Sequence, residues 1–213
     1  MFASNHAERP NAITRLPWPI EKKLFRFRYR SWFRGKEFTS NWTADHLTVW
    51  RRVLWPLRGA RLRILEIGSW EGRSAVFFLN FFSDSTITCV DTFDIPQVEN
   101  RFDQNLAPFK GRVEKLKCMS KEGLGSLAKQ ERCYDLAYID GSHMRDDVMA
   151  DSIAAWPLLQ RGGVIIWDDY EWRPELPPDQ RPQPAIDAFL SAHEHQYRLL
   201  ASGRQIIVEK TKG

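Results

Sequence analysis

The chain has 213 residues, 43% of them hydrophobic and 27% charged, with a formal net charge of +4. At roughly 150 residues per domain this is one domain with an elaboration, long enough to bury about 70% of its unfolded surface. No apolar run nears the ~18 residues of a membrane span, and the first residues lack the apolar stretch of a secretory signal. Cys89, Cys118 and Cys133 are an odd number at no metal-ligand spacing, so neither a disulfide framework nor a zinc site is expected, and a reducing cytoplasm is the expected compartment.

The charge is uneven. Residues 1–50 carry nine Lys/Arg against four Asp/Glu, and the rest of the chain is nearly neutral. Most of the excess lies in EKKLFRFRYRSWFR (21–34), where bases alternate with aromatics. Such a patch suits phosphates or an anionic surface. Acids resume at once and no nucleic-acid motif follows, so the arm is expected to pack on its own domain or on a second subunit. Five of the nine tryptophans (Trp18, Trp32, Trp42, Trp50, Trp55) lie in the first 60 residues. From 44 to 57, Leu47, Trp50 and Leu54 recur at helical spacing, with Thr43 as the expected N-cap and Pro56 and Gly59 as the stop.

From Leu62 the rhythm becomes strand, turn, helix. LRILEI (62–67) reads as a buried strand, SAVFFLNFF (74–82) as a helix and TITCVD (86–91) as a second strand. RVEKLKC (112–118) is a third strand, KEGLGSLAKQ (121–130) a short helix and YDLAYID (134–140) a fourth strand. DDVMADSIAAWPLLQ (146–160) is a helix in which Pro157 is expected to produce a kink. VIIW (164–167) is a fifth strand and AIDAFLSAH (185–193) a helix. QYRLLA and QIIVEK close the chain as a hairpin across Ser202–Gly203. The alternation predicts a doubly wound α/β fold, a mostly parallel sheet with an antiparallel C-terminal hairpin. Residues 1–60 are the expected arm and lead-in, and 61–213 the expected catalytic domain.

In such folds ligands sit at the carboxyl ends of the strands. There the sequence places Glu66-Ile67-Gly68-Ser69-Trp70-Glu71-Gly72-Arg73-Ser74, then Asp91, then Asp140-Gly141-Ser142-His143, then Asp168-Asp169. The first loop is not the glycine-rich turn of a dinucleotide site. Glu66 and Glu71 would repel a phosphate, whereas a ligand with an amino group and no phosphate, such as S-adenosylmethionine, fits. Packing of strand against helix also accounts for Gly68 and Gly72. Asp91 stands where an acid meets ribose hydroxyls. Neighbouring strands lie about 4.8 Å apart, so Asp140 and Asp168 should end side by side with Asp169 next. Three such carboxylates repel unless protonated or bridged, and an all-oxygen set suits Mg²⁺, Mn²⁺ or Ca²⁺. His143 is in position to accept a proton. His6, His46, His193 and His195 are expected to be structural or solvated. The proline-rich segment 171–184 is expected to be stiff and non-helical, as a lid, a substrate rim or a tether.

ILEIGSWEGRSA (64–75), CVDTFD (89–94), YIDGSH (138–143) and GGVIIWDDY (162–170) resemble class I S-adenosylmethionine-dependent methyltransferases, and more narrowly the DGSH-containing macrocin-type sugar O-methyltransferases. The first motif also resembles that of catechol O-methyltransferases. The resemblance covers about 40–210. It implies that Gly68, Trp70 and Ser74 line the methionine end of the cofactor, with Glu66 supporting the loop and Gly72 completing it. It implies Asp91 at the ribose, Thr92 and Ser120 near the adenine, and Asp140 bordering the cofactor. It further implies that Asp140, Asp168 and Asp169 bind Mg²⁺ and that His143 is the base.

The leading expectation is a metal-dependent O-methyltransferase for a small polyhydroxylated acceptor. The alternatives are a phenolic or amino acceptor on the same fold, or a non-catalytic binding module that uses the basic arm. No nucleic-acid partner is expected, and self-association is left open.

Overall fold

The computed structural model describes residues 29–212. Seven strands form one sheet: β1 (Arg63–Ile67), β2 (Thr86–Asp91), β3 (Val113–Lys117), β4 (Tyr134–Ile139), β5 (Leu159–Trp167), β6 (Tyr197–Ala201) and β7 (Ile206–Lys210). Their order is β3-β2-β1-β4-β5-β7-β6. β1 to β5 run parallel, and β7 inserts antiparallel between β5 and β6. The chain winds outward from β1 to β3, then returns to place β4 on the other flank of β1. This reversal opens a crevice above the ends of β1 and β4.

Among the described residues six α-helices cover the sheet: α1 (Leu47–Leu54), α2 (Arg73–Phe81), α3 (Pro96–Leu106), α4 (Ser120–Lys129), α5 (Arg145–Ala155) and α6 (Gln183–Ala192). Strand alternation sorts them into two layers. Ile64, Ile87, Leu136, Tyr138 and Ile166 share an apolar cluster with α1, α2 and α3. Leu65, Val90, Ala137, Ile139, Ile165 and Trp167 share the other with α4, α5 and α6. Both faces of the central strands are therefore apolar, as parallel strands under helices require.

The lead-in shares this core. Tyr29, Leu47, Trp50 and Leu54 belong to the same cluster as β1 and α2. Trp50 is fully buried, and its indole N–H donates to Gln205 Oε1 at 2.7 Å. Tyr29 and Trp32 lie against Phe77 of α2. Of the basic arm, Tyr29, Trp32 and Phe33 pack on this core and Arg30 and Arg34 are exposed, while 21–28 lie outside the described residues. No helix among the described residues is long and apolar enough to cross a membrane.

Several sequence expectations need correction. Thr43 does not cap α1. It sits in a 3-10 turn, Trp42–Asp45, and its hydroxyl accepts a hydrogen bond from Arg73 Nε at 3.0 Å. Pro157 does not kink the fifth helix, which ends at Ala155 before it; the clash of its ring with the preceding turn is avoided by stopping there. β5 begins at Leu159 and passes through Gly162–Gly163. The segment 171–184 contains one 3-10 turn, Pro178–Gln180. Helix α3 was not anticipated, although Pro96 in its first turn and Val98, Phe102 and Leu106 at four-residue spacing are its signature.

Candidate active site

The first loop is shaped by how closely the chain passes itself. Gly68 has φ +80°, and a Cβ there would lie 2.1 Å from the backbone oxygen of Asp140. Only glycine lets the ends of β1 and β4 approach this closely. Gly72 also lies in the left-handed region at the start of α2, and a Cβ there would press on Phe102 and Leu106 of α3 at 3.1–3.2 Å. The packing explanation thus applies to both glycines.

Asp91, at the end of β2, ties this loop down. Its Oδ2 accepts the backbone N–H groups of Ser69 and Trp70, both at 2.8 Å, and its Oδ1 accepts that of Phe93 at 2.9 Å. Trp70 has φ +47° and is 40% exposed, an unusual combination for an indole that helix packing would otherwise bury. Thr92 follows Asp91, half-buried. Ser120 opens α4 and bonds through its side chain to Asp151 of α5, whose burial pushes its carboxyl up to about 6.

Glu66 and Glu71 have different surroundings. Glu71 does not face a ligand: it is buried under the lead-in, where it accepts the Thr39 N–H at 2.6 Å and Arg101 Nη1 at 2.9 Å. The expected repulsion of a phosphate by Glu71 therefore does not arise from its position. Glu66 is wholly buried beside Ser69, Ser74 and Cys89, and the Cys89 thiol donates to its Oε2 at 3.4 Å. Burial raises its carboxyl to about 7. Neither Glu66 Oε1 nor Ser69 Oγ finds a hydrogen bond of ordinary geometry. Two orphaned polar atoms at the end of β1 are costly unless a ligand or water meets them.

The raised Glu66 has a measurable consequence. Its folded-state value lies above its unfolded value, so the folded state binds the extra proton. Its contribution to stability is full below about pH 4.5 and is lost as pH rises to about 7. The loss amounts to roughly 3 kcal/mol over that window. Glu66→Gln should flatten the stability profile of the cofactor-free protein between pH 5 and 7.5, measured by urea denaturation. An unchanged slope in the variant would show that Glu66 is ionised throughout.

The second constellation stands at the ends of β4 and β5. Ile139 pairs with Trp167, so Asp140 and Asp168 leave the sheet side by side, as the strand spacing requires. The Tyr138 hydroxyl donates within this pair, reaching Asp140 Oδ2 at 2.9 Å and also Asp168 Oδ2. Asp140 is pushed well above the carboxylate range, by burial first and then by Asp168 and Asp169. Tyr138 is raised for the same reasons. His143 Nε2 lies 2.7 Å from Asp169 Oδ2, and its ring stacks on Trp172 at 4.4 Å. Asp169 adopts φ +57°, and its carbonyl accepts the Trp172 N–H at 2.9 Å. That tight turn folds the indole back over the imidazole. Ligand atoms of Asp140, His143 and Asp169 all lie within 4.8 Å of one another. A small hollow lined by Asp140, His143, Asp168, Asp169 and Pro182 opens beside them.

Asp168 does not join that cluster. Its Oδ1 accepts the Asp169 N–H at 2.8 Å and lies 3.5 Å from His46 Nε2. His46, expected to be structural or solvated, is buried at the edge of the site. Nothing in the sequence pairs it with a residue so far along the chain. Tyr138 was legible: it shares a sheet face with Asp140 two residues on.

The chain matches a family model described as a methyltransferase domain over residues 65–170, about half its length. A search of curated proteins finds an uncharacterized protein of Acanthamoeba polyphaga mimivirus, 26% identical over 125 residues, which are 55% of this chain and 57% of that protein. Among solved structures, MycE methyltransferase from the mycinamycin biosynthetic pathway, in complex with Mg and SAH, matches with a TM-score of 0.65 and 20% identity, covering 88% of this chain and 54% of MycE. A proposed caffeoyl-CoA O-methyltransferase from Staphylococcus aureus has a TM-score of 0.61 at 17% identity, covering 90% of this chain and 92% of that one. An SAH-bound methyltransferase of Podospora anserina has a TM-score of 0.59 at 18% identity, covering 92% and 98%. The chain spans little more than half the length of MycE and of the mimivirus protein. On its family match, its strand order and the crevice that this order creates, the chain belongs to the class I S-adenosylmethionine-dependent methyltransferases.

Proposed function

We propose that the protein is a divalent-metal-dependent O-methyltransferase that moves a methyl group from S-adenosylmethionine to a hydroxyl of a small polyhydroxylated, sugar-like acceptor. The observation that carries this reading is the grouping of Asp140, His143 and Asp169 at adjoining strand ends, with Asp168 lining the same hollow. The complexes of MycE with Mg and SAH, and with mycinamycin VI, support the same reading at the level of the fold.

The residues present fit both groups. Glu66 Oε1 and Ser69 Oγ have unused capacity for the ammonium of the donor's methionine end, directly or through water. Gly68, Trp70, Gly72 and Ser74 frame that end, Asp91 is available to the ribose, and Thr92 and Ser120 to the adenine. Asp140, Asp168 and Asp169 would hold the cation, whose charge would offset the burial and the carboxylate repulsion that raise Asp140. When bound, a divalent cation makes an acceptor hydroxyl more acidic. The chain's own work is to orient and to move one proton. The loop after β1 would hold the methyl donor for an in-line displacement, a reaction in which positioning dominates the rate. His143 takes the hydroxyl proton on Nδ1, because its Nε2 is engaged with Asp169 Oδ2, and Trp172 stacks on its ring.

A second reading gives His143 to the cation, because its Nε2 is one of the clustered ligand atoms with Asp140 and Asp169. The two readings differ in metal affinity: loss of a base leaves it unchanged, and loss of a ligand lowers it.

The test is turnover with radiolabelled methyl donor across a panel of sugars, catechols and amines. Activity is expected on a hydroxylated acceptor, to vanish with excess chelator and to return with Mg²⁺. Full turnover in chelator would overturn the metal assignment, and turnover confined to amines would overturn the acceptor class.

A further inference from the structure

We propose that His46 of the lead-in is a positioning residue for the cation site, acting through Asp168; this rests on the metal-dependent reading above. His46 immediately precedes α1, more than a hundred residues before Asp168 in sequence, yet its Nε2 lies 3.5 Å from Asp168 Oδ1, at the outer edge of hydrogen-bond range. Both side chains are almost closed to solvent, at 10% and 8% exposure.

The ring is held from behind. It lies nearly parallel to the Trp50 indole at 6.1 Å and 26°. Trp50 is fixed in turn by its bond to Gln205 and by edge contact with Tyr138 at 5.3 Å. Backbone geometry adds to this: the His46 N–H donates to Thr43 at 3.0 Å, and the His46 carbonyl accepts from Trp50 at 2.9 Å.

Asp168 is thus bonded by two donors and approached by His46 from a third part of the chain. Tyr138 of β4 reaches Oδ2, while the Asp169 N–H and His46 reach Oδ1. Together they restrict the rotation of the carboxylate beside Asp140. Outer partners of this kind orient metal-binding carboxylates, and their loss commonly lowers metal affinity by about 10–100-fold. The lead-in therefore acts on the active site through one side chain as well as serving as packing.

Two substitutions separate donation from packing. His46→Phe keeps an aromatic ring on Trp50 and removes the donor. His46→Gln keeps an N–H donor and removes the ring. Mn²⁺ binding to the full chain, followed by electron paramagnetic resonance and titration calorimetry without methyl donor or acceptor, gives a readout apart from turnover. The expected result is about a tenfold or greater loss of Mn²⁺ affinity in His46→Phe with near-normal melting, and affinity within about threefold of wild type in His46→Gln. Wild-type affinity in a folded His46→Phe, or an equal loss in both variants, would overturn the positioning role while leaving the metal reading intact. Failure of the wild-type chain to bind Mn²⁺ would overturn both.

Discussion

His143→Ala should lower turnover by about 10²–10⁴-fold, the usual share of a general base. That is roughly 3–5 kcal/mol of transition-state stabilisation. The imidazole stands 2.7 Å from Asp169 and is pinned on its face by Trp172, so it is held beside the acidic cluster. Its removal leaves the donor site around Gly68 and Asp91 untouched, and S-adenosylmethionine affinity should not change. Metal affinity decides between base and ligand, because Asp140, Asp168 and Asp169 remain. Rates across pH should lose the limb that follows an imidazole, and His143→Gln should not restore it. Near-normal turnover at pH 7 in both variants would remove His143 from the mechanism and leave the cation to act alone.

Gly68→Ala should destabilise the fold by about 2–5 kcal/mol. A left-handed conformation costs a non-glycine residue roughly 1–2 kcal/mol, and forcing a methyl group into packed structure costs about 1–3 more. Here the obstacle is backbone: the new Cβ would stand 2.1 Å from Asp140 O and 2.5 Å from Gly141 Cα. No side-chain rotation relieves that clash, so β1 and β4 must separate at the crevice. The melting temperature should drop by about 4–20 °C, and donor affinity should fall with it, because the loop tied to Asp91 moves. Gly125, with nothing within 4 Å of a Cβ, is the control, and Gly125→Ala should be tolerated. Equal melting of Gly68→Ala and wild type would mean that the loop has room which its geometry denies.

The alternation of buried strands and helices was legible because each strand is a short apolar run bounded by turn residues, and the central strands are covered on both faces. The acids at the strand ends could also be placed in advance. Parallel strands put all their carboxyl ends on one side, so Asp91, Asp140 and Asp168 had to share it, and adjacent β4 and β5 had to bring Asp140 beside Asp168. Helix α3 was missed although its spacing was visible; its mostly polar exposed face hid a narrow stripe of Val98, Phe102 and Leu106.

The direction of each side chain was decided only in three dimensions. Glu66 and Glu71 are five residues apart in one loop motif, yet one is buried at the end of β1 and the other is turned under the lead-in to hold Thr39 and Arg101. Asp168 and Asp169 are neighbours, but a left-handed turn at Asp169 sends its carboxylate to His143 while Asp168 meets Tyr138 and His46. A local pattern records which residues are apolar and where the chain turns. It carries no record of a contact between positions 46 and 168, because that contact exists only after α1 docks on the sheet through Trp50. The sequence by itself therefore determined the layered α/β fold and the edge at which its chemistry sits, and the tertiary packing decided which of the acids and histidines meet there.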